Sequence, residues 1–569
     1  MMEPFERIDI QELPLSVPSV RRQVEDFLGS NGLRLGEVDL YLAVLSEQGD
    51  ILAGGGLQRD IVKCLAVSGS ARSLGLSVPL VSRLISVAAD RGHTNVKVFT
   101  KPENRSLFEN LGFRLLAEAP KAILMENGRG LEDYCAYLRA HRADGVVVMN
   151  ANPFTLGHRY LVEQASLSFR AEPKAESRNL VVIPVREDAS RFPYAERLEM
   201  IRRGCEGLAD VVEGSDYQIS AATFPTYFLK DLSDAAETQM RLDIDLFGRH
   251  IAPALGASVR FVGREPADPL TARYNALMQE LLPAYGVQVV EIQRLADADG
   301  PVGATRVREA LDAGRFPKEW TPSSSWPFLL AELADRALRM ELDTPLKPGL
   351  VGPDSAGAHA DMDYALMRRG IAAIRPFFPR MAQAATADEL RQLGIDAEQA
   401  MMAATGGVNT HRGAIFALGL ALNAGGDSGR MAALAARICG ANDSLGARRM
   451  ALGGYAALFD RWLPYYRGVK ADAYGLQKTL LKIMSELDDT CVIHRVGYER
   501  AQQVKAEAGE IAGQAGNDDK CQAGNDEIVM PDLIGHLKEL CMRYAAERIS
   551  PGGAADMLAL TIFLDSILH

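Results

Sequence analysis

Seven cysteines are too scattered to build a disulfide framework: Cys64, Cys135, Cys205, Cys439, Cys491, Cys521 and Cys541 include no C-x-x-C pair, and their number is odd. That usage belongs to a reducing compartment and argues against a structural zinc site. No apolar run approaches the roughly 18 residues of a membrane helix. The opening MMEPFERIDIQELP has neither the apolar core nor the basic region of a signal peptide. A cytoplasmic chain with no membrane partner is therefore expected. Positive charge is also short, with 62 Lys and Arg against 74 Asp and Glu for a net charge of −12, which argues against a nucleic-acid partner. Any polyphosphate would have to be met by local lysines, arginines or a divalent metal.

At 569 residues, and with about 100 to 200 residues per domain, three domains are expected, each with its own core. Residues 146–158, VVVMNANPFTLGH, carry the most information. A buried strand runs into a Thr-x-Gly-His turn, and a helix opens behind it, where an amino terminus favours phosphate. The expected chemistry is attack on the α-phosphate of a nucleoside triphosphate, with Asn152, Thr155, Gly157 and His158 at the turn. A Gly-His pair alone would mark no more than a helix start. Farther on, however, PVGATRVREAL sets Thr305 and Arg308 on a second helix start, where a hydroxyl and a guanidinium can hold the β- and γ-phosphates as pyrophosphate leaves. Between the two motifs, NLVVIPV, SVRFVG and VQVVEI read as parallel strands covered on both faces. Arg191, Lys230, Arg264 and Glu265 are secondary candidates in the same region, the first two equally readable as surface charges.

Thr155, Gly157 and His158 match the T/H-x-G-H signature of the nucleotidyltransferase superfamily. Thr305 and Arg308 match its second pattern, with Gly303 and Ala304 where serines are usual. NPFTLGHRYLVEQA, SDYQISAATFPTYFLKD and FVGREPADPLTARYNALM resemble the citrate lyase ligases over most of residues 146–315. The resemblance implies an HxGH-type, Rossmann-like domain over residues 140–318 that adenylates acetate with ATP. It would pass the acetyl group to the prosthetic-group thiol of the citrate lyase acyl carrier protein, the gamma subunit.

Residues 1–130 have a separate texture. LYLAVLSEQGDILAGGGLQ reads as two strands about a Gly-Asp turn, IVKCLAV as another, and SVPLVSRLISVAADRG as an amphipathic helix with Leu80, Val81, Leu84, Ile85 and Ala88 inward. Arg72, Gly75 and Ser77 fit the R-x-x-G-x-G/A loop of the GNAT acyltransferases, and KPENRSLFENLGFR, with Asn104, resembles the second half of that fold. The resemblance implies an α/β domain that cradles a CoA-like pyrophosphate on Arg72 and Gly75, holding the carrier protein's arm or serving as scaffold.

RFPKEWTPSSSWPF interrupts helix and marks a linker near residue 320. Beyond it, FLLAELADRALRMEL and RGAIFALGLALNAG have helical spacing, so residues 325–569 should be all-α. TPLKPGLVGPDSAGAHADMDY brings Lys347, His359, Asp361 and Asp363 together, GGVNTHRGAIFALG brings Asn409, His411 and Arg412, and LDDTCVIHRVG brings Asp488, Asp489, His494 and Arg495. Together they resemble the triphosphoribosyl-dephospho-CoA synthases, which join ATP to dephospho-CoA and expel adenine. Displacing adenine builds positive charge at the anomeric carbon, which a carboxylate stabilises while another takes the proton of the attacking hydroxyl. Carboxylates can also hold magnesium on the triphosphate. Asp361, Asp363, Asp488 and Asp489 form that pool, with Asp488 and Asp489 the candidate metal ligands. Lys347, His359, His411, Arg412 and Arg495 are the candidate binding groups. Cys491 stands where that family commonly has asparagine, and QAGNDDKCQAGNDE, within residues 505–527, reads as a mobile surface insertion. The two resemblances imply that the pathway served is citrate lyase, with malonate decarboxylase as the alternative. One half acting only as a carrier-protein docking module is a further alternative.

Overall fold

A computed structural model of the chain describes residues 8–170, 179–186, 190–218, 233–265, 268–439, 446–518 and 526–568. It divides into two compact units, Met1–Ala304 and Thr305–His569.

The first unit opens with a seven-stranded sheet of β1 (Gln11–Glu12), β2 (Leu40–Leu45), β3 (Ile51–Gln58), β4 (Ile61–Val67), β5 (Val96–Thr100), β6 (Arg114–Ala119) and β7 (Ala122–Asn127), in the order β1-β2-β3-β4-β5-β7-β6. β2 and β3 flank the expected Gly-Asp turn as an antiparallel pair. The parallel pairing of β4 with β5 covers only Ile61 with Lys97 and Val62 with Val98. Beyond that point each strand is left with backbone groups that the other does not bond. The helix Ser77–Asp90 buries Leu80, Val81, Leu84 and Ala88 against this sheet, with Ile85 partly covered. Arg72 lies exposed in the 3-10 turn Gly69–Leu74, and Gly75 takes φ 65°, a left-handed conformation that glycine adopts without strain.

A second sheet follows: β8 (Gly145–Met149), β9 (Leu180–Pro184), β10 (Asp210–Val211), β11 (Val259–Gly263) and β12 (Gln288–Ile292). All its pairings are parallel, in the order β10-β9-β8-β11-β12. In chain order this is 3-2-1-4-5, so the topology reverses between β8 and β11, and ligands in such sheets sit beyond the carboxyl ends at that reversal. The five buried residues of β9, LVVIP, show why the strand sequences are continuously apolar.

Among its described residues the second unit contains helices and one isolated bridge, Gly352 with Ser355. Its central helix, Gly552–Ile567, is buried on nearly every side, which explains the apolar run LALTIFL. The Pro/Ser stretch is folded into this unit: the Phe316 N–H donates to Ser566 O at 3.0 Å, Ser325 is buried, and Arg336 donates to Asp312 O at 3.1 Å. The expected mobile insertion is corrected in its first part, since residues 505–518 continue the helix Tyr498–Asp518. Ala, Glu and Gln in VKAEAGEIAGQA favour helix enough to outweigh the glycines. Residues 519–525 of that insertion lie outside the described residues.

Because residues 305–324 pack on the second unit, a fragment 305–569 should melt about 5 °C higher than a fragment 325–569, both strongly helical by circular dichroism. Equal melting temperatures would mean that this stretch contributes nothing to the helical unit.

Candidate active sites

In the first unit, the chain leaves β8 through Asn150 to Thr155 and enters the helix Leu156–Arg170 at the topological reversal. A buried guanidinium sets this loop. Arg197 Nη1 donates to Asn150 O, Asn150 Oδ1 and Val185 O, each at 2.8 Å, and its Nε donates to Phe192 O at 3.1 Å. Asn152 Oδ1 accepts the Phe192 N–H at 3.2 Å, so this side chain helps tie two loops together. Phe154 is fully buried against Gly204, where a Cβ would come within 2.2 Å of its ring.

The turn then fixes the imidazole. The Thr155 N–H donates to His158 Nδ1 at 3.1 Å, and Thr155 Oγ1 lies 2.9 Å from the same nitrogen. An Nδ1 that accepts a backbone N–H carries no proton, so the neutral ring bears its proton on Nε2 as a donor. Burial of the ring, with Arg294 nearby, pushes its pKa down to about 4 and keeps it neutral. Gly157 is required by space, since a Cβ there would lie 2.1 Å from Val302 O.

Glu265, just beyond β11, is ion-paired with Arg294. Arg264 offers its backbone N–H to Ile292 O at 2.9 Å. Arg191 lies part-buried, and Lys230 lies outside the described residues. Thr305 and Arg308 belong to the second unit, where Arg308 Nη2 donates to Thr305 Oγ1 at 3.0 Å.

The second unit holds a cavity of about 720 Å³. Arg391, Arg412, Arg448, Asn409 and Glu398 line it, as do Asp488, Asp489, Asp556, Cys491 and Gly553. The arginines are exposed, whereas Asp489 is buried. Arg412 Nε donates to Glu398 Oε1 at 2.6 Å, and the Arg412 N–H donates to Asn409 Oδ1 at 3.1 Å.

Asp489 caps the helix Thr490–Val496: its Oδ1 accepts the N–H of Cys491 at 2.8 Å, and its Oδ2 that of Ala554 at 2.9 Å. Burial nevertheless raises its pKa. Asp556 is raised well above the ordinary carboxylate range by burial and then by the charges of Asp489 and Glu341. It fits only because residue 413 is glycine, where a Cβ would stand 1.9 Å from Asp556 Oδ2.

Asp488 and Asp489, the candidate magnesium ligands, both have partners within the protein. Asp488 is bonded to Lys505 at 2.7 Å, which lowers its pKa, while both Asp489 oxygens accept backbone amides. Among the described residues no group of three or more His, Cys, Asp or Glu is placed to hold a metal.

The remaining candidates lie off the cavity lining. Lys347 is buried and donates to Glu341 Oε1 at 2.5 Å and to Glu341 O at 2.6 Å. His411 is buried beside Thr410, its pKa pushed down to about 4 by burial and then by Lys347. His359 Nε2 lies 2.8 Å from Ser550 Oγ, and its Nδ1 3.3 Å from Arg495 Nη2. Asp361 is exposed, and Asp363 caps the helix Tyr364–Ile374 by accepting the Leu366 N–H at 2.7 Å.

Sequence reasoning missed Asp556, Arg391 and Arg448 in the cavity, and Arg197 and Arg294 near the turn. A lone acid inside GGAADMLALTIFL was the available signal for Asp556; the arginines had none.

Gly157→Ala should lower the activity that depends on this turn by about 10²-fold, because a 2.1 Å approach to a backbone carbonyl forces the helix start to move. Steady-state kinetics check this, and activity within about threefold of the parent would contradict the packing account.

Residues 144–329 match the family described as citrate lyase ligase C-terminal domain, and residues 327–439 and 430–569 match ATP:dephospho-CoA triphosphoribosyl transferase. The chain is 41% identical over 302 residues to a [Citrate [pro-3S]-lyase] ligase of Klebsiella pneumoniae, a match covering 51% of this chain and 86% of that protein. A [Citrate [pro-3S]-lyase] ligase of Haemophilus influenzae is 38% identical over 341 residues, covering 57% of this chain and 98% of its own length. A probable 2-(5''-triphosphoribosyl)-3'-dephosphocoenzyme-A synthase of Stutzerimonas stutzeri is 37% identical over 275 residues, covering 42% of this chain and 91% of its own length. The chain thus belongs to two families joined end to end, the citrate lyase ligases in its amino-terminal half and the triphosphoribosyl-dephospho-CoA synthases in its carboxy-terminal half.

Proposed function

We propose that this chain is a bifunctional enzyme that prepares citrate lyase for catalysis. One half adenylates acetate with ATP and transfers the acetyl group to the prosthetic-group thiol of the citrate lyase acyl carrier protein. The other half joins ATP to dephospho-CoA and releases adenine, making the precursor of that group. The observation that carries the reading is the His158 turn at the β8/β11 reversal in a chain whose other unit holds an arginine-lined, carboxylate-floored cavity. The ligase relatives are named for citrate lyase, which favours it over malonate decarboxylase.

In the ligase half, assigned to residues 140–318 as an HxGH nucleotidyltransferase, an acetate oxygen attacks the α-phosphate and pyrophosphate leaves. The Nε2–H of His158 donates to the oxygen on which charge develops, a preorganised contact that needs no proton transfer. The carrier thiolate then attacks the acetyl carbonyl, and AMP leaves. Residues 1–130, read as GNAT-like, would receive the carrier arm where β4 and β5 cease to pair. In the synthase half, residues 325–569, Arg391, Arg412 and Arg448 hold the triphosphate. Asp489 and Asp556, two carboxyls in one buried site, hold a proton above the usual carboxylate range. One carboxyl can then protonate departing adenine while the charged partner faces the anomeric carbon, and the proton of the attacking ribose hydroxyl restores the pair.

Two substitutions separate the halves. His158→Ala should cut acetate-dependent formation of AMP and pyrophosphate about 10²- to 10³-fold and leave adenine release intact. Asp556→Asn should cut adenine release about 10²- to 10⁴-fold and leave acetate activation intact. Chromatographic detection of AMP and adenine reads both; a loss of both activities from either substitution would refute the division of labour.

A further inference from the structure

His158 has a limitation as a phosphate ligand. With its pKa near 4 the imidazole is neutral under ordinary conditions and offers a hydrogen bond but no formal charge. Attack of acetate on a triphosphate brings two anions together, and positive charge facing them, from side chains or a divalent metal, offsets that repulsion. Arg159, on the same helix, is engaged with Glu163 at 2.8 Å on an exposed face. Arg197 is sealed inside the fold on backbone carbonyls.

Arg294 is placed differently. It follows β12, at the carboxyl end of the strand beside β11. Its Nη2 lies 2.8 Å from where a Cβ on Gly303 would stand, so the guanidinium occupies the space that any side chain at 303 would enter. Gly303 adjoins Val302, whose carbonyl packs on Gly157, the residue before His158. The guanidinium charge is also felt at the His158 ring. Glu265, from the end of β11, pairs with Nη1. The Arg294 side chain retains 30% exposure against 17% for Glu265, so the cation is the more open member of the pair.

We propose that Arg294 is a catalytic residue of the ligase half, its guanidinium meeting the polyphosphate of ATP beside the His158 turn, with Glu265 as its positioning residue. The inference rests on the acetate-adenylating reading of that half. In the step it serves, a carboxylate oxygen of acetate bonds to the α-phosphorus, and the bond from that phosphorus to the bridging oxygen breaks. Pyrophosphate departs with the electron pair, acetyl adenylate remains, and no proton or redox equivalent moves. Arg294 offsets the charge that gathers on the departing pyrophosphate, while the neutral imidazole orients the α-phosphate. Gly303 leaves the guanidinium room in its present position, which a side chain there would make it shift.

The test uses the full-length chain and measures acetate-dependent pyrophosphate release with ATP varied, beside the His158 pKa read by NMR titration of the ring. Arg294→Ala should lower kcat by about 10²-fold and raise the His158 pKa. Arg294→Lys should recover part of the rate, because charge is retained while the planar fork is lost. Glu265→Gln, which breaks the ion pair but keeps the cation, should stay within about tenfold of the parent. A kcat for Arg294→Ala within about threefold of the parent would overturn the proposal. So would equal losses in Glu265→Gln and Arg294→Ala with an unmoved His158 pKa, since the pair would then be a brace. His158→Ala separates the two levels: an active His158→Ala removes the underlying reading of the turn, whereas an inactive His158→Ala beside an active Arg294→Ala removes the Arg294 assignment alone.

Discussion

The ligase half depends on one short contact, the Thr155 N–H to His158 Nδ1 at 3.1 Å. A backbone amide cannot reverse its role, so this bond fixes both the orientation of the ring and the nitrogen that bears its proton. Everything around it preserves that geometry. Arg197 holds the loop from beneath, Phe154 fills the space that Gly204 leaves, and Gly157 lets the helix start press against Val302 O. The turn is thereby rigid at the reversal of the parallel sheet, where the topology already leaves an opening.

The second unit solves a different problem by different means. A helical bundle has no strand ends on which to display a turn, so its polar groups stand on helix faces and caps within an apolar interior. Asp489 is retained there by amides of its own helix and of Ala554, and Asp556 by the missing side chain at Gly413. Other buried charge in this unit is paired in place, Lys347 with Glu341 and Asp565 with Arg467. Buried charge left unpaired would cost far more than this small bundle could offset.

Much of this was legible in the sequence, for identifiable reasons. Continuous apolar runs such as LVVIP suit strands of a parallel sheet covered on both faces, and TLGH at a strand end left little freedom for the turn. The helical texture after residue 325 was equally plain. What was hidden depends on distance along the chain. Arg294 lies far along the chain from the turn whose ring feels its charge, and Asp556 looks like an accident inside an apolar helix until Gly413 and Asp489 pack beside it. In LDDT one acid caps a helix and the other pairs with Lys505, an arrangement set by partners that the local sequence does not show. The repeated QAGND motif suggested a surface insertion, yet its first copy prolongs a helix through Asp518.

The most direct measurement of the central claim is the protonation state of one ring. In the full-length protein labelled with nitrogen-15 histidine, the His158 resonances can be assigned by their disappearance in His158→Ala. At neutral pH the account predicts a neutral imidazole with its proton on Nε2 and a bare Nδ1. An imidazolium, or a neutral ring protonated on Nδ1, would contradict it, because the Thr155 amide would then have no acceptor and the donor facing the α-phosphate would be lost.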